Sequence, residues 1–203
     1  MIEVLPLFSI PIYINKLEIS DKIKKYCNNC EFEPTSNNDG KLSKNKFILN
    51  EKIFKKIKKQ IYENANIYKS KILEIEDNIE LVFKNSWILT HDKNDYAELH
   101  HHSNSLISGV LYIKVPENSG NIIFQKPNIF SFEPIIALKY KNYNLHNSST
   151  WTYKTQENLL ILFPSNLPHK VQPNLSNQSR VSIAFNLFIK GKVTFDNLSD
   201  LTV

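Results

Sequence analysis

Arginine occurs once in this 203-residue chain, at Arg180, and lysine carries the rest of a positive charge that leaves a formal net of +5. A nucleic-acid reader more often interleaves arginine with aromatics on one surface, so a nucleic-acid partner is not expected. Lys55, Lys56, Lys58 and Lys59 sit between Ile53, Phe54, Ile57 and Ile61 at helical spacing and read as the solvated face of an amphipathic helix. Glycine is almost as scarce. Four glycines against 12 Phe and 9 Tyr exclude low complexity and flexible linkers. No stretch approaches the roughly 18 to 20 apolar residues that span a bilayer, so no membrane partner is expected. The apolar run of Met1 to Asn15 is interrupted by Glu3, Pro6 and Pro11 and lacks a basic leader or a cleavage site, which predicts a cytoplasmic protein. The only two cysteines, Cys27 and Cys30, form a Cys-x-x-Cys pair with neither two further close-set ligands nor a βαβ context, and they read as reduced, inert thiols.

The length fits one domain over 1–203, with a strand and helices in 1–79 packing on a β core in 80–190. Alternation predicts a strand over Leu5–Ile14. Helical periodicity predicts a short helix over Ser20–Glu31 and a long one over Asn50–Ile72, with a loop from Glu33 to Lys46 between them. From Glu80 on, β-branched and aromatic runs alternate with turn residues. Strands are expected at Leu81–Thr90, Ala97–His101, Leu106–Val115, Asn121–Gln125, Ile135–Tyr140, Leu159–Phe163, Lys170–Gln172 and Arg180–Ile189. Pro116 to Gly120 reads as a hairpin loop, and Pro164 to Pro168 as a tight turn. Strands at this spacing suggest a sandwich, barrel or jelly roll with the early helices on one face.

His100, His101 and His102 are consecutive. On a strand His100 and His102 share a face, so the pair can chelate a metal, with His169 as the distant partner that a jelly roll brings alongside. Three imidazoles on one side of a metal leave the other positions open for substrate and O2. Arg180 and Ser182 share a face of the last long strand, where a guanidinium fork and a hydroxyl make a clamp for a carboxylate. Glu98 lies on the face of His100 and His102 and is an alternative ligand; Asp95 and Asn104 are weaker candidates. His91 and His146 read as ordinary strand-end or loop histidines. Trp87 and Trp151 read as core or lid packing, and the interval from Lys126 to Tyr153 as a segment bordering the pocket.

The ordered motifs Leu7-Phe8-Ser9-Ile10-Pro11-Ile12-Tyr13, Ser86-Trp87, His100-His101-His102 with Ser108-Gly109-Val110-Leu111-Tyr112, Phe163-Pro164-Ser165 with His169, and Arg180-Val181-Ser182-Ile183-Ala184-Phe185-Asn186 resemble the 2OG-Fe(II) oxygenase family common in marine bacteria and their phages. The resemblance implies a double-stranded β-helix, that is, a jelly roll with a cupin-like core. It also implies Fe(II) and 2-oxoglutarate as cofactors and hydroxylation of a small-molecule or side-chain substrate. Its iron ligands fall on His100, His102 and His169, its 2-oxoglutarate site on Arg180 with Ser182, and a further cosubstrate contact on Tyr112. The wider superfamily has Asp or Glu where His102 stands, and a neutral third ligand leaves the iron one unit more positive. Two other readings stay open: a cupin-like three-histidine enzyme that does not use 2-oxoglutarate, and a non-catalytic jelly-roll binding module. A homodimer through edge strands or the early helices is compatible with this shape.

Overall fold

The computed structural model describes residues 1–35, 40–127, 139–194 and 200–202. Its strands are β1 (Tyr13–Lys16), β2 (Phe32–Pro34), β3 (Lys41–Ser43), β4 (Glu80–His91), β5 (Ala97–His100), β6 (Ile107–Lys114), β7 (Ile122–Gln125), β8 (Thr150–Tyr153), β9 (Leu159–Pro164), β10 (His169–Val171) and β11 (Arg180–Lys190). A small hairpin of β12 (Lys192–Thr194) and β13 (Asp200–Thr202) follows. The major sheet has the order β1-β9-β6-β11-β4-β3-β2 and the minor sheet β5-β10-β7-β8. All their pairings are antiparallel, and the two sheets form the expected jelly roll.

The central strands β9, β6 and β11 of the major sheet are buried on both faces, which explains why they read as nearly continuous apolar runs. In β9, Leu160 and Leu162 enter a cluster with Ile23 and Cys27 of α1 (Asp21–Asn29) and Ile57, Ile61 and Ala65 of α2 (Lys55–Ile67). The alternate residues Leu159, Ile161 and Phe163 enter a second cluster with Tyr112, Ile122, Phe124 and Leu167, facing the minor sheet. β11 divides in the same way: Val181, Ile183, Phe185 and Leu187 belong to the helix-backed cluster, which leaves Arg180, Ser182, Ala184 and Asn186 to the inner face. Burial pushes the Cys27 thiol up to about 12 and raises Cys30 as well, so both free thiols stay protonated.

Several elements differ from expectation. The first strand is Tyr13–Lys16, not Leu5–Ile14. Pro6 and Pro11 have no N–H to give a ladder, and residues 1–12 run outside any strand, with Ile10 and Ile12 packed on the inner cluster. The segment read as a loop contains the hairpin of β2 and β3, which extends the major sheet beyond β4. The long helix is preceded by two 3₁₀ turns and ends in a π turn at Tyr68–Ile72. The loop from Pro116 to Gly120 joins strands of different sheets, so it is a crossover and not a hairpin. Of the strand expected at Ile135–Tyr140, 135–138 lie outside the described residues and Lys139 and Tyr140 have no regular structure; β8 was not anticipated. Among the described residues no helix is long and apolar enough to cross a membrane.

Gly109 sits where β6 crosses the Phe185 ring. An added Cβ would overlap that ring and stand 2.8 Å from Leu162 Cδ2. Gly109→Ala is therefore expected to cost about 1–3 kcal/mol by overpacking, measured by urea unfolding. The same substitution in a Phe185→Leu background should cost less, the coupling expected of residues that share one space.

Candidate active site

The antiparallel register of β5 and β10 sets His169 opposite His100, and the two ring centroids are 4.4 Å apart. β5 ends at His100, so His102 does not share the strand as alternation predicted. The chain leaves the ladder there. His102 N–H donates to the Ser165 carbonyl at 2.9 Å, tying it to the turn before β10. Asn104, in the left-handed region at φ 56, then redirects the chain toward β6. His102 still arrives at the same point: its Nε2 is 3.3 Å from His169 Nε2, and one nitrogen from each of His100, His102 and His169 lies within 4.8 Å of the others. Glu98 is exposed and outside this group, Asp95 is half-buried and also outside it, and Asn104 is exposed where it turns the chain. Asp95 is engaged elsewhere, its carboxylate accepting from the Asp92 N–H at 2.8 Å.

Hydrogen bonding fixes the ring tautomers. His100 Nδ1 faces the Glu98 carbonyl at 2.7 Å and His169 Nδ1 faces the Leu167 carbonyl at 2.9 Å. A carbonyl only accepts, so each Nδ1 carries a proton and each neutral ring keeps its lone pair on Nε2. This outer-shell arrangement is the usual one for metal-binding imidazoles. Burial, followed by the neighbouring histidines, holds His169 down to about 3 and His102 down to about 4, so both are neutral near pH 7. Cis ligands with metal–imidazole bonds of about 2.1 Å are roughly 3 Å apart, close to the His102–His169 separation. The donor set fits a transition-metal ion. Phe163 flanks His169 at 4.7 Å between centroids and Trp87 flanks His102 at 6.2 Å, closing the polar centre with aromatic walls.

Arg180 opens β11 and is 2% exposed. Its Nη1 donates to the Ser119 and Gly120 carbonyls at 2.9 and 3.2 Å, and its Nη2 donates to His91 Nδ1 at 2.8 Å. Its Nε–H has no partner, and neither has the nearby Ser119 hydroxyl. Among the described residues no carboxylate lies within ion-pair distance of this guanidinium. Gly120 makes the supporting loop possible: its φ is +84 and a Cβ there would stand 2.9 Å from the Pro173 carbonyl. Ser182 is paired with Tyr112 across β11 and β6, and both are nearly buried. Burial pushes the Tyr112 phenol up to about 12, partly offset by Arg180, so it stays a neutral donor.

Two features lay beyond the sequence reading. His91, taken as an ordinary strand-end residue, is fully buried against Arg180; the β4–β11 register that pairs them would have been the clue. A buried polar chain also links motif residues. Asn186 Nδ2 donates to Asn85, Ser108 Oγ donates to Asn186 Oδ1, and Ser165 Oγ lies at 2.9 Å from Ser108 Oγ and 2.8 Å from Ser105 Oγ. A cavity of about 750 Å³ lies beside this centre, lined mainly by apolar residues that include Leu7, Ile10, Ile12, Phe124, Trp151 and Leu167. No histidine of the triad lines it, but Phe124 and Leu167 do, and these touch His169. Lys126, Pro127, Leu145, His146 and 148–151 supply part of the lining, as expected of that interval, whereas 128–138 lie outside the described residues.

The backbone resembles several solved structures. HygX from Streptomyces hygroscopicus, with nickel, 2-oxoglutarate and hygromycin B bound, superposes with a TM-score of 0.62 at 9% identity, covering 88% of this chain and 82% of HygX. A prolyl-4-hydroxylase from Pseudomonas putida gives 0.57 at 13% identity over 89% and 94%. A 2OG-Fe(II) oxygenase family oxidoreductase from Burkholderia pseudomallei gives 0.57 at 10% identity over 82% and 76%. At such identities these likenesses show a shared fold. No curated protein matches the sequence. The family described as "Putative 2OG-Fe(II) oxygenase" matches residues 85–186, a span that opens one residue before Ser86-Trp87, contains the three histidines and Arg180, and ends at Asn186. With half of its length inside that match, the chain belongs to the 2OG-Fe(II) oxygenase family, the non-haem iron oxygenases that use 2-oxoglutarate.

Proposed function

We propose that the chain, as one oxygenase unit, holds Fe(II) on His100, His102 and His169. It anchors the far carboxylate of 2-oxoglutarate on Arg180, with Ser182 and Tyr112 beside it, and hydroxylates a small molecule. The observation that carries this reading is a buried guanidinium with no carboxylate beside it among the described residues, on the inner face that also meets the histidine centre. An unpaired charge in such a place is costly, and the unpartnered Nε–H is a donor still waiting for an acceptor. A dicarboxylate supplies the missing anion. A cupin-like enzyme without this cosubstrate would leave the charge to be met by its substrate's own acid group.

Trp87 gives the spacing. It pairs with Ala184 across β4 and β11 and packs against His102. Arg180 lies four residues farther along the strand, roughly 13 Å at the usual rise. The anchor and the histidine centre therefore stand at different levels of one inner face, as the two ends of a dicarboxylate require. When bound, Fe(II) and 2-oxoglutarate supply the oxidising power: O2 is consumed, 2-oxoglutarate leaves as succinate and CO2, and a substrate C–H bond becomes C–OH. The protein's own residues bind and orient. Nδ1 contacts keep the His100 and His169 lone pairs on Nε2, and Trp87, Phe124 and Phe163 exclude water. The apolar cavity that shares Phe124 and Leu167 with the His169 surroundings suits a substrate with a substantial apolar part. The chain needs no membrane or nucleic acid for this chemistry, a cytoplasmic site suits it, and a homodimer would leave the inner face untouched.

His100→Ala and His169→Ala should each abolish tight Fe(II) binding while far-UV circular dichroism stays that of a β protein. Iron stoichiometry unchanged in both, measured anaerobically, would rule out the ligand set. Arg180→Ala should weaken 2-oxoglutarate by one or two orders of magnitude, the loss of charge-assisted bonds of about 1.5–3 kcal/mol. The charge-transfer band of the anaerobic Fe(II) complex reads that affinity, and an unshifted titration curve would remove the cosubstrate assignment.

A further inference from the structure

His91 closes β4, is fully buried, and stands directly opposite Arg180 in the β4–β11 register. Its Nδ1 is 2.8 Å from Arg180 Nη2. A guanidinium can only donate, so Nδ1 carries the lone pair and the ring proton sits on Nε2. That is the opposite tautomer from His100 and His169, whose Nδ1 atoms face carbonyls. Burial and then the Arg180 charge hold the ring down to about 3, so it is a neutral acceptor near pH 7. Behind it stands Gly40 of the β2–β3 turn, where an added Cβ would come within 3.2 Å of His91 Cδ2.

The two loop carbonyls grip only Nη1, and a planar group held at one end can still pivot about it. A second contact at Nη2 fixes the plane. A carboxylate there would hold the guanidinium more tightly, but it would also neutralise it and compete with an incoming carboxylate. A neutral imidazole orients the fork and leaves its charge available. We propose that His91 is a positioning residue for 2-oxoglutarate, fixing the Arg180 guanidinium through Nη2 while sparing its charge; the proposal rests on Arg180 being the cosubstrate anchor.

The test compares His91→Phe, His91→Asn and Arg180→Ala, each loaded anaerobically with Fe(II) and titrated with 2-oxoglutarate. His91→Phe keeps a ring without an acceptor and should weaken 2-oxoglutarate about tenfold, as loss of a bond to a charged group implies. His91→Asn places Oδ1 near the lost Nδ1 and should stay within about threefold of the wild type, although its smaller side chain should lower Tm more than phenylalanine does. Fe(II) affinity should be unchanged in both. Affinities that follow Tm, with asparagine the worse, would mean a purely structural role and overturn the proposal. So would wild-type affinity in His91→Phe when Arg180→Ala has lost it. Wild-type affinity in Arg180→Ala would instead refute the anchor itself, and His91's role with it. Should His91→Phe not fold, nitrogen-15 NMR of the unsubstituted protein decides: Nδ1 unprotonated at neutral pH is expected, and a protonated Nδ1 overturns the assignment.

Discussion

The register of β11 between β4 and β6 is the constraint on which the rest of the molecule depends. Val181, Ile183, Phe185 and Leu187 enter the helix-backed core. Arg180, Ser182, Ala184 and Asn186 take the opposite face. A slip of one residue would exchange the two sets, driving a guanidinium and an amide into the apolar cluster and turning Phe185 toward the site. Both errors cost several kcal/mol, so the hydrophobic core and the polar site enforce one another. In that register Phe185 fills the space above Gly109, where a side chain would collide with its ring.

Hydrogen-bond direction does the finer work. Each of three histidines meets a partner that can only accept or only donate, and that partner determines which nitrogen is free. His100 and His169 present Nε2 because carbonyls take their Nδ1 protons; His91 presents Nδ1 because a guanidinium demands it. His102 is held by its backbone instead, through Ser165. Ser165 belongs to the chain of hydroxyls and amides that runs through Ser108 and Asn186 to Asn85. Buried polar groups joined in this way are rigid, which matters most for His102, the one triad member outside a strand.

Much of this was legible in the sequence, and the reasons for success and failure differ. The inner-face pairing of Arg180 with Ser182 follows from the two-residue period alone. The convergence of His102 was anticipated, but by the wrong route, because nothing local marks where β5 stops. His91 was missed because its role depends on β4 lying beside β11, a contact between residues 89 apart in the chain. The crossover at Pro116 to Gly120 was misread because turn residues mark a change of direction without saying which sheet receives the next strand. Leu5–Ile14 alternates well enough, but pattern does not supply a neighbouring strand to pair with.

The site straddles the two sheets. His100 and His169 come from the minor sheet, whereas Arg180, Ser182 and Tyr112 come from the major one. The distance between the two halves is set by neither ladder. It is set by the inner cluster of Tyr112, Ile122, Phe124, Leu159, Ile161, Phe163 and Leu167 that separates the sheets. Phe163 and Phe124 both contact the His169 ring, and Tyr112 lies beside Arg180. These spacers thus touch both ends of the proposed iron and cosubstrate cavity. Cores are close-packed and respond to changes of a single methylene, so a change of volume here moves the histidines relative to the guanidinium even when no site residue is altered. In this fold the packing that stabilises the jelly roll is also what fixes the length of the cavity.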